Sequence, residues 1–112
     1  MTPLYDIAYF FGGAFAINAV PHLVAGLQGR PMQSPFAKPP GQGLSTARTN
    51  AIWGAANLAA AWLLLAQVGA FDIRSPEHFA CAFAGGFLLA FALAQHFGRF
   101  NGGNSPPKSE AP

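Results

Sequence analysis

Charge is what this sequence most lacks. Asp, Glu, Lys and Arg make up 9% of its 112 residues, against roughly 25% in an average soluble domain. A water-soluble chain this small has to cover most of its surface with such groups, so an ordinary soluble domain is excluded. The few charges are also segregated, with none between Ile7 and Gly29, between Thr49 and Phe71, or between His78 and Gly98. Without carboxylates in these runs, the usual charged relay of a coupled transporter is missing. Nucleophilic hydrolysis lacks its parts too: apart from Thr49 the runs hold no Ser or Thr, and no acid stands ready to orient a histidine. No catalytic residue and no metal site is expected. Cysteine is nearly absent: Cys81 stands alone, which excludes an internal disulfide and a Cys-rich metal centre. The formal charge of +2 is too small and too dispersed for nucleic acid.

Apolar types fill what charge leaves, at 52% of the chain with 11 Phe. Each uncharged run can cross a hydrocarbon core of about 30 Å, which takes about 20 helical residues at about 1.5 Å rise. The sequence therefore predicts an all-α integral membrane protein with three transmembrane helices, about 5–26, 47–70 and 77–97. They form a domain over 1–98, followed by a disordered cytoplasmic tail over 99–112 that is rich in Gly, Asn, Ser and Pro. The first run reads as a retained span rather than a signal peptide, because no Lys or Arg precedes it and Asn18, Pro21 and His22 interrupt it. The short second connection predicts that the second and third helices are antiparallel neighbours. The first connection, 28–46, carries Pro31, Pro35, Pro39, Pro40, Gly41 and Gly43 and should be extended or turning, with Ser45 or Thr46 capping the next helix. Met32 and Phe36 could anchor this loop on the membrane surface.

Basic residues resist translocation and stay cytoplasmic. Arg30, Lys38 and Arg48 of the first loop, with Arg99 and Lys108 of the tail, oppose Arg74 alone in the second loop. The expected location is the cell inner membrane, multi-pass, with the N-terminus outside and the C-terminus cytoplasmic. The lipid bilayer is the first partner, and Arg30, Lys38 and Arg48 form its membrane-surface loop.

The run from Pro21 to Arg30, the stretch from Ser34 to Ser45 and the segment Asn50-Ala51-Ile52-Trp53-Gly54 together resemble an uncharacterised family of small bacterial inner-membrane proteins. The resemblance spans about residues 18–54. It implies a bacterial membrane location and brings no activity, cofactor or catalytic residue.

Polar residues within the runs fall into a pattern. At 100° per residue, Asn50, Trp53 and Asn57 lie within about 60° of one another, with Gln67 widening that face to about 100°. Asn18 and His22, four apart, share a face of the first helix. Amides in hydrocarbon are costly unless bonded, so Asn18, His22, Asn50 and Asn57 are expected to form a ladder between helices one and two, with Trp53 completing a polar or ligand face. Pro21 adds to it by leaving the Ile17 carbonyl short of a partner. His22 and His96 fall at similar depth and could pair as haem ligands. In the third helix Ala82, Gly86, Ala90 and Ala94 recur every four residues, a spacing that lets another helix approach closely, and Phe79, Phe83, Phe87 and Phe91 form a second stripe. The leading expectation is a self-associating or accessory interaction subunit that packs through the Ala/Gly stripe, as a homo-oligomer or against another membrane protein. The alternatives are a membrane module binding quinone, haem or lipid at the polar face, or an oligomeric passive channel. No cofactor is assigned.

Overall fold

A computed structural model describes residues 3–107 of the chain. Helix α1 spans Pro3–Leu27, a two-residue strand β1 Met32–Gln33, β2 Leu44–Ser45, α2 Ala47–Trp62, and α3 Pro76–Asn101. A wider π-helical turn, Leu63–Val68, carries α2 onward. Three helical stretches, Pro3–Leu27, Ala47–Val68 and Pro76–Asn101, are long and apolar enough to cross a membrane.

Local chemistry sets the ends. Pro3 and Asp6 open α1, where a missing N–H costs nothing and a carboxylate meets the positive end of the helix dipole. Gly29, at φ 71°, closes it in a Schellman turn: Arg30 N–H donates to Ala25 O at 2.8 Å and Gly29 N–H to Gly26 O at 3.1 Å. Thr46 rather than Ser45 caps α2, accepting from Thr49 N–H at 3.2 Å. Ser75 caps α3 by accepting from His78 N–H at 3.1 Å, with Pro76 following. Helix α3 does not stop at Phe97; nothing breaks it before Gly102, whose φ of 73° ends it. The tail expected to be disordered from 99 is thus helical to Asn101 and turned beyond it, with Asn104 Nδ2 donating to Gln95 O at 3.0 Å; its last residues, 108–112, lie outside the described residues.

The all-α expectation also needs correcting for β1 and β2, which pair antiparallel with Met32 opposite Ser45 and Gln33 opposite Leu44. Prolines bar a helix from this loop, so its backbone groups find partners by folding the chain back on itself. Ser34 O accepts both Ala37 N–H at 3.2 Å and Gly41 N–H at 2.8 Å.

Helix α1 lies between the other two, packing on both, whereas α2 and α3 hardly meet. This overturns the expected pairing of α2 with α3. The reason lies in α1, which carries small residues toward both neighbours. Gly12 sits under Leu65 and Gly26 against the Ala47 and Ala51 backbone on the α2 side. Gly13 meets the Ala82 carbonyl, and the Phe10 carbonyl meets Gly85, on the α3 side. The short 69–75 connection only has to step across the start of α1. It does so over buried Tyr9, whose ring contacts Phe71 edge-on at 5.5 Å and His78 at 4.4 Å between centroids.

Candidate functional site

The polar residues of α1 and α2 meet at the end of the bundle where the 28–46 loop connects these helices. Asn18 Nδ2 donates to Asn57 Oδ1 at 2.8 Å, and Asn57 Nδ2 donates to Trp53 O at 2.7 Å. One turn nearer the loop, His22 Nδ1 lies 2.7 Å from Asn50 Oδ1. Asn50, with no exposed surface, donates its amide to Met32 O at 3.1 Å, Ser45 O at 3.2 Å and Thr46 O at 3.0 Å. One side chain thereby ties α1, α2 and both short strands together.

This network fixes the His22 tautomer. An amide whose nitrogen faces three carbonyls must present its oxygen to the imidazole, so Nδ1 carries the hydrogen and donates. In neutral His22 the other nitrogen, Nε2, is then a lone-pair acceptor. Among the described residues no hydrogen bond reaches Nε2, although His22 is only 2% exposed. It is also not sealed in the packing, in contrast to the unpartnered Trp53 Nε1 and Asp6 Oδ1. The Asn18 oxygen is left open in the same way, because Asn57 takes its amide nitrogen.

His96 plays a different part. Its Nε2 donates to Gly41 O at 2.6 Å and its Nδ1 accepts from the Arg99 guanidinium at 2.8 Å. In this arrangement His96 has no lone pair to share with His22 in holding one haem; it pins the proline-rich loop onto α3. The loop is consequently folded into the bundle end, with Gln33, Ser34, Ala37 and Ser45 buried and the Ser34 and Ser45 hydroxyls 2.6 Å apart.

These elements border a partly open cavity of about 150 Å³, lined by Asn18, His22, Gln33, Ser34, Trp53, His96 and Phe97 among others. Its walls are aromatic: the His22 ring stands 6.5 Å from Trp53 and 6.2 Å from Phe97, edge-on to both. No charged side chain lines it. Among the described residues no group of three or more His, Cys, Asp or Glu is arranged to hold a metal ion.

All five residues of the expected polar face, Asn18, His22, Asn50, Trp53 and Asn57, are at this end, but Asn50 and Asn57 support it from behind and do not line the cavity. Gln67 is exposed in the π turn and takes no part. Gln33, Ser34 and the loop-holding role of His96 are additions that no helix periodicity announces. Arg30, Lys38 and Arg48 are exposed around the same end, and so is Arg99. Met32 is drawn into the short hairpin, and Phe36 is exposed yet meets the Trp53 ring edge-on at 5.1 Å. The Ala/Gly stripe of α3 divides: Ala82 and Gly86 pack on Gly13 and Ile17 of α1, whereas Ala90 and Ala94 are exposed. Compared with protein-family profiles, curated proteins and solved structures, the chain matches none.

Proposed function

We propose that this chain is a multi-pass membrane protein that binds a small, uncharged, lipid-soluble molecule in the cavity beside His22. The observation that carries this reading is the open Nε2 of a histidine that is otherwise buried and held in one tautomer by Asn50. A purely structural histidine would have both nitrogens satisfied, as His96 does. Native mass spectrometry of protein released from its own membrane, without added lipid or cofactor, tests the proposal. A reproducible extra mass of a few hundred daltons on the protomer, lost in His22→Leu, is the expected result; bare protomer in both proteins rejects it.

The location proposed is a bacterial inner membrane, with the loop end and its ring of Arg30, Lys38, Arg48 and Arg99 on the cytoplasmic side. The basic residues support it, since only Arg74 among the described residues sits at the other end.

A second reading, self-association or attachment to another membrane protein through α3, is favoured by the exposed half of the small-residue stripe. Ala90 lines a cleft of about 420 Å³ that opens where α2 and α3 fail to meet, floored by Gly13, Ala16 and Ile17, and Ala94 lies exposed one turn further along α3. Ala94→Trp blocks that strip without touching α1. Under this reading it lowers the oligomeric mass in lipid nanodiscs, and an unchanged mass removes the support.

A further inference from the structure

The cavity does more than admit a ligand: its unfilled hydrogen-bonding positions have a direction. Two of the residues that line it, His22 and Asn18, carry acceptors without a donor among the described residues, at Nε2 and the side-chain oxygen; the Gln33 amide is likewise unpartnered among them, and Trp53 Nε1 is a donor without a partner. Neither acceptor is free to reverse. Turning His22 over would put a ring C–H in place of the N–H that Asn50 Oδ1 accepts, and moving its hydrogen to Nε2 would set a lone pair against that oxygen. Asn50 cannot flip in response without turning its oxygen onto the carbonyls of Met32, Ser45 and Thr46. Flipping Asn18 would set its oxygen against Asn57 Oδ1, whose own amide is committed to Trp53 O. The hydroxyl of Ser34 is likewise occupied, with Ser45 and with Phe36 N–H at 3.1 Å. At His22 and Asn18 a carbonyl-bearing ligand would therefore meet lone pairs and could turn only to the Gln33 amide or the Trp53 N–H, whereas a hydroxyl-bearing one would supply what both acceptors lack.

Size and walls narrow the class further. A cavity of about 150 Å³ is known to hold a single benzene ring, well below the roughly 300–1,000 Å³ of sites for drug-sized ligands, so the part of a ligand seated beside His22 is about one ring in size, with anything larger passing out through the open side. Aromatic walls from Trp53, Phe97 and His96 suit an aromatic ring. The absence of any charged lining residue requires that ring to be neutral. Resting on the small-molecule reading above, we infer that the ligand is a neutral phenolic ring, of the hydroquinone kind, whose O–H donates to His22 Nε2.

A ligand series on the wild-type protein in lipid nanodiscs, followed by calorimetry under anaerobic conditions, tests the direction of the bond. The probes are a hydroquinone with a ten-carbon tail, the benzoquinone it forms on oxidation, its dimethyl ether, and tail-less hydroquinone. The tailed hydroquinone should bind at least tenfold tighter than the benzoquinone or the dimethyl ether, and His22→Leu should erase that preference. Tail-less hydroquinone binding equally well would mark the ligand as a soluble phenol, and binding of the tailed form alone would mark it as membrane-borne; both agree with the inference. Equal binding of hydroquinone and benzoquinone overturns it while leaving a ring-binding cavity in place. If no probe binds although the native protein carries an extra mass, the phenolic assignment falls and the small-molecule reading stands. A preference that survives in His22→Leu also overturns it, because the donor would then be meeting some other group.

Discussion

Single side chains in this protein differ widely in what they hold. Asn18 makes one side-chain bond to α2, and such bonds in membrane helices average only about 0.6 kcal/mol. Asn50 accepts from His22 and shares its two amide hydrogens among three backbone carbonyls, and its loss would strand a buried imidazole N–H that alone costs about 1–3 kcal/mol. Asn18→Leu should therefore lower stability by under about 1 kcal/mol, and Asn50→Leu by about 2 kcal/mol or more. Detergent-mediated unfolding followed by tryptophan fluorescence checks the order; equal effects would show that Asn50 is not the keystone of the loop. The glycines divide similarly. A Cβ on Gly85 would run into the Phe10 carbonyl, and one on Gly13 into the Ala82 carbonyl, so Gly85→Ala should cost about 1–3 kcal/mol through forced separation of α1 and α3. Gly29 has open space around it, and only its φ of 71° resists a side chain, which limits Gly29→Ala to about 1–2 kcal/mol, with no change in helix packing.

Among the elements, the 28–46 segment departs most from what its composition suggests. Proline and glycine there foretell the lack of a helix, but not that the chain folds back between α2 and α3. That outcome depends on contacts distant in sequence, Asn50 to Met32 O and His96 to Gly41 O. Replacing His96 by Phe keeps the aromatic wall and removes the pin. Loss of one hydrogen bond, about 1 kcal/mol, should speed hydrogen exchange at the Gly41 and Gly43 amides about fivefold. Those amides bond to Ser34 O and Pro39 O, so exchange there reports on the loop itself. An unchanged rate would mean that His96 does not hold the loop. The π turn at Leu63–Val68 was equally hidden in sequence: a uniform Leu/Ala run reads as an α-helix, and only the packing of Leu65 over Gly12 shows where the coil widens.

On the scale of the whole molecule, an axis formed by α1 with α2 and α3 on its flanks puts the ends of the helices into two groups. The 28–46 loop and the end of α3 share one end; the start of α1 and the 69–75 connection share the other. In a Cys81→Ser background, Ile73→Cys and Gln42→Cys place single thiols at exposed positions of opposite ends. A membrane-impermeant maleimide applied to intact bacterial cells should label Ile73→Cys and leave Gln42→Cys unmodified until the membrane is opened. The reverse pattern would invert the proposed orientation and put the cavity by His22 at the outer face.

Segregated charge was enough to reveal three apolar helices and to bound them within a few residues, because transfer of charge into hydrocarbon is so costly that its absence is a strong signal. The four-residue spacings of Asn18 with His22, and the common face of Asn50, Trp53 and Asn57, were legible for the same reason: helix geometry converts spacing into direction. Which helix takes the centre was not legible, since small residues on α1 and α3 are compatible with several pairings and a short connection fixes only the ends it joins. The cavity was beyond sequence as well. It exists because a proline-rich loop closes against α3, a helix it does not adjoin in the chain, and because Asn50 spends its amide on that loop, turning the open nitrogen of His22 into an acceptor without a donor.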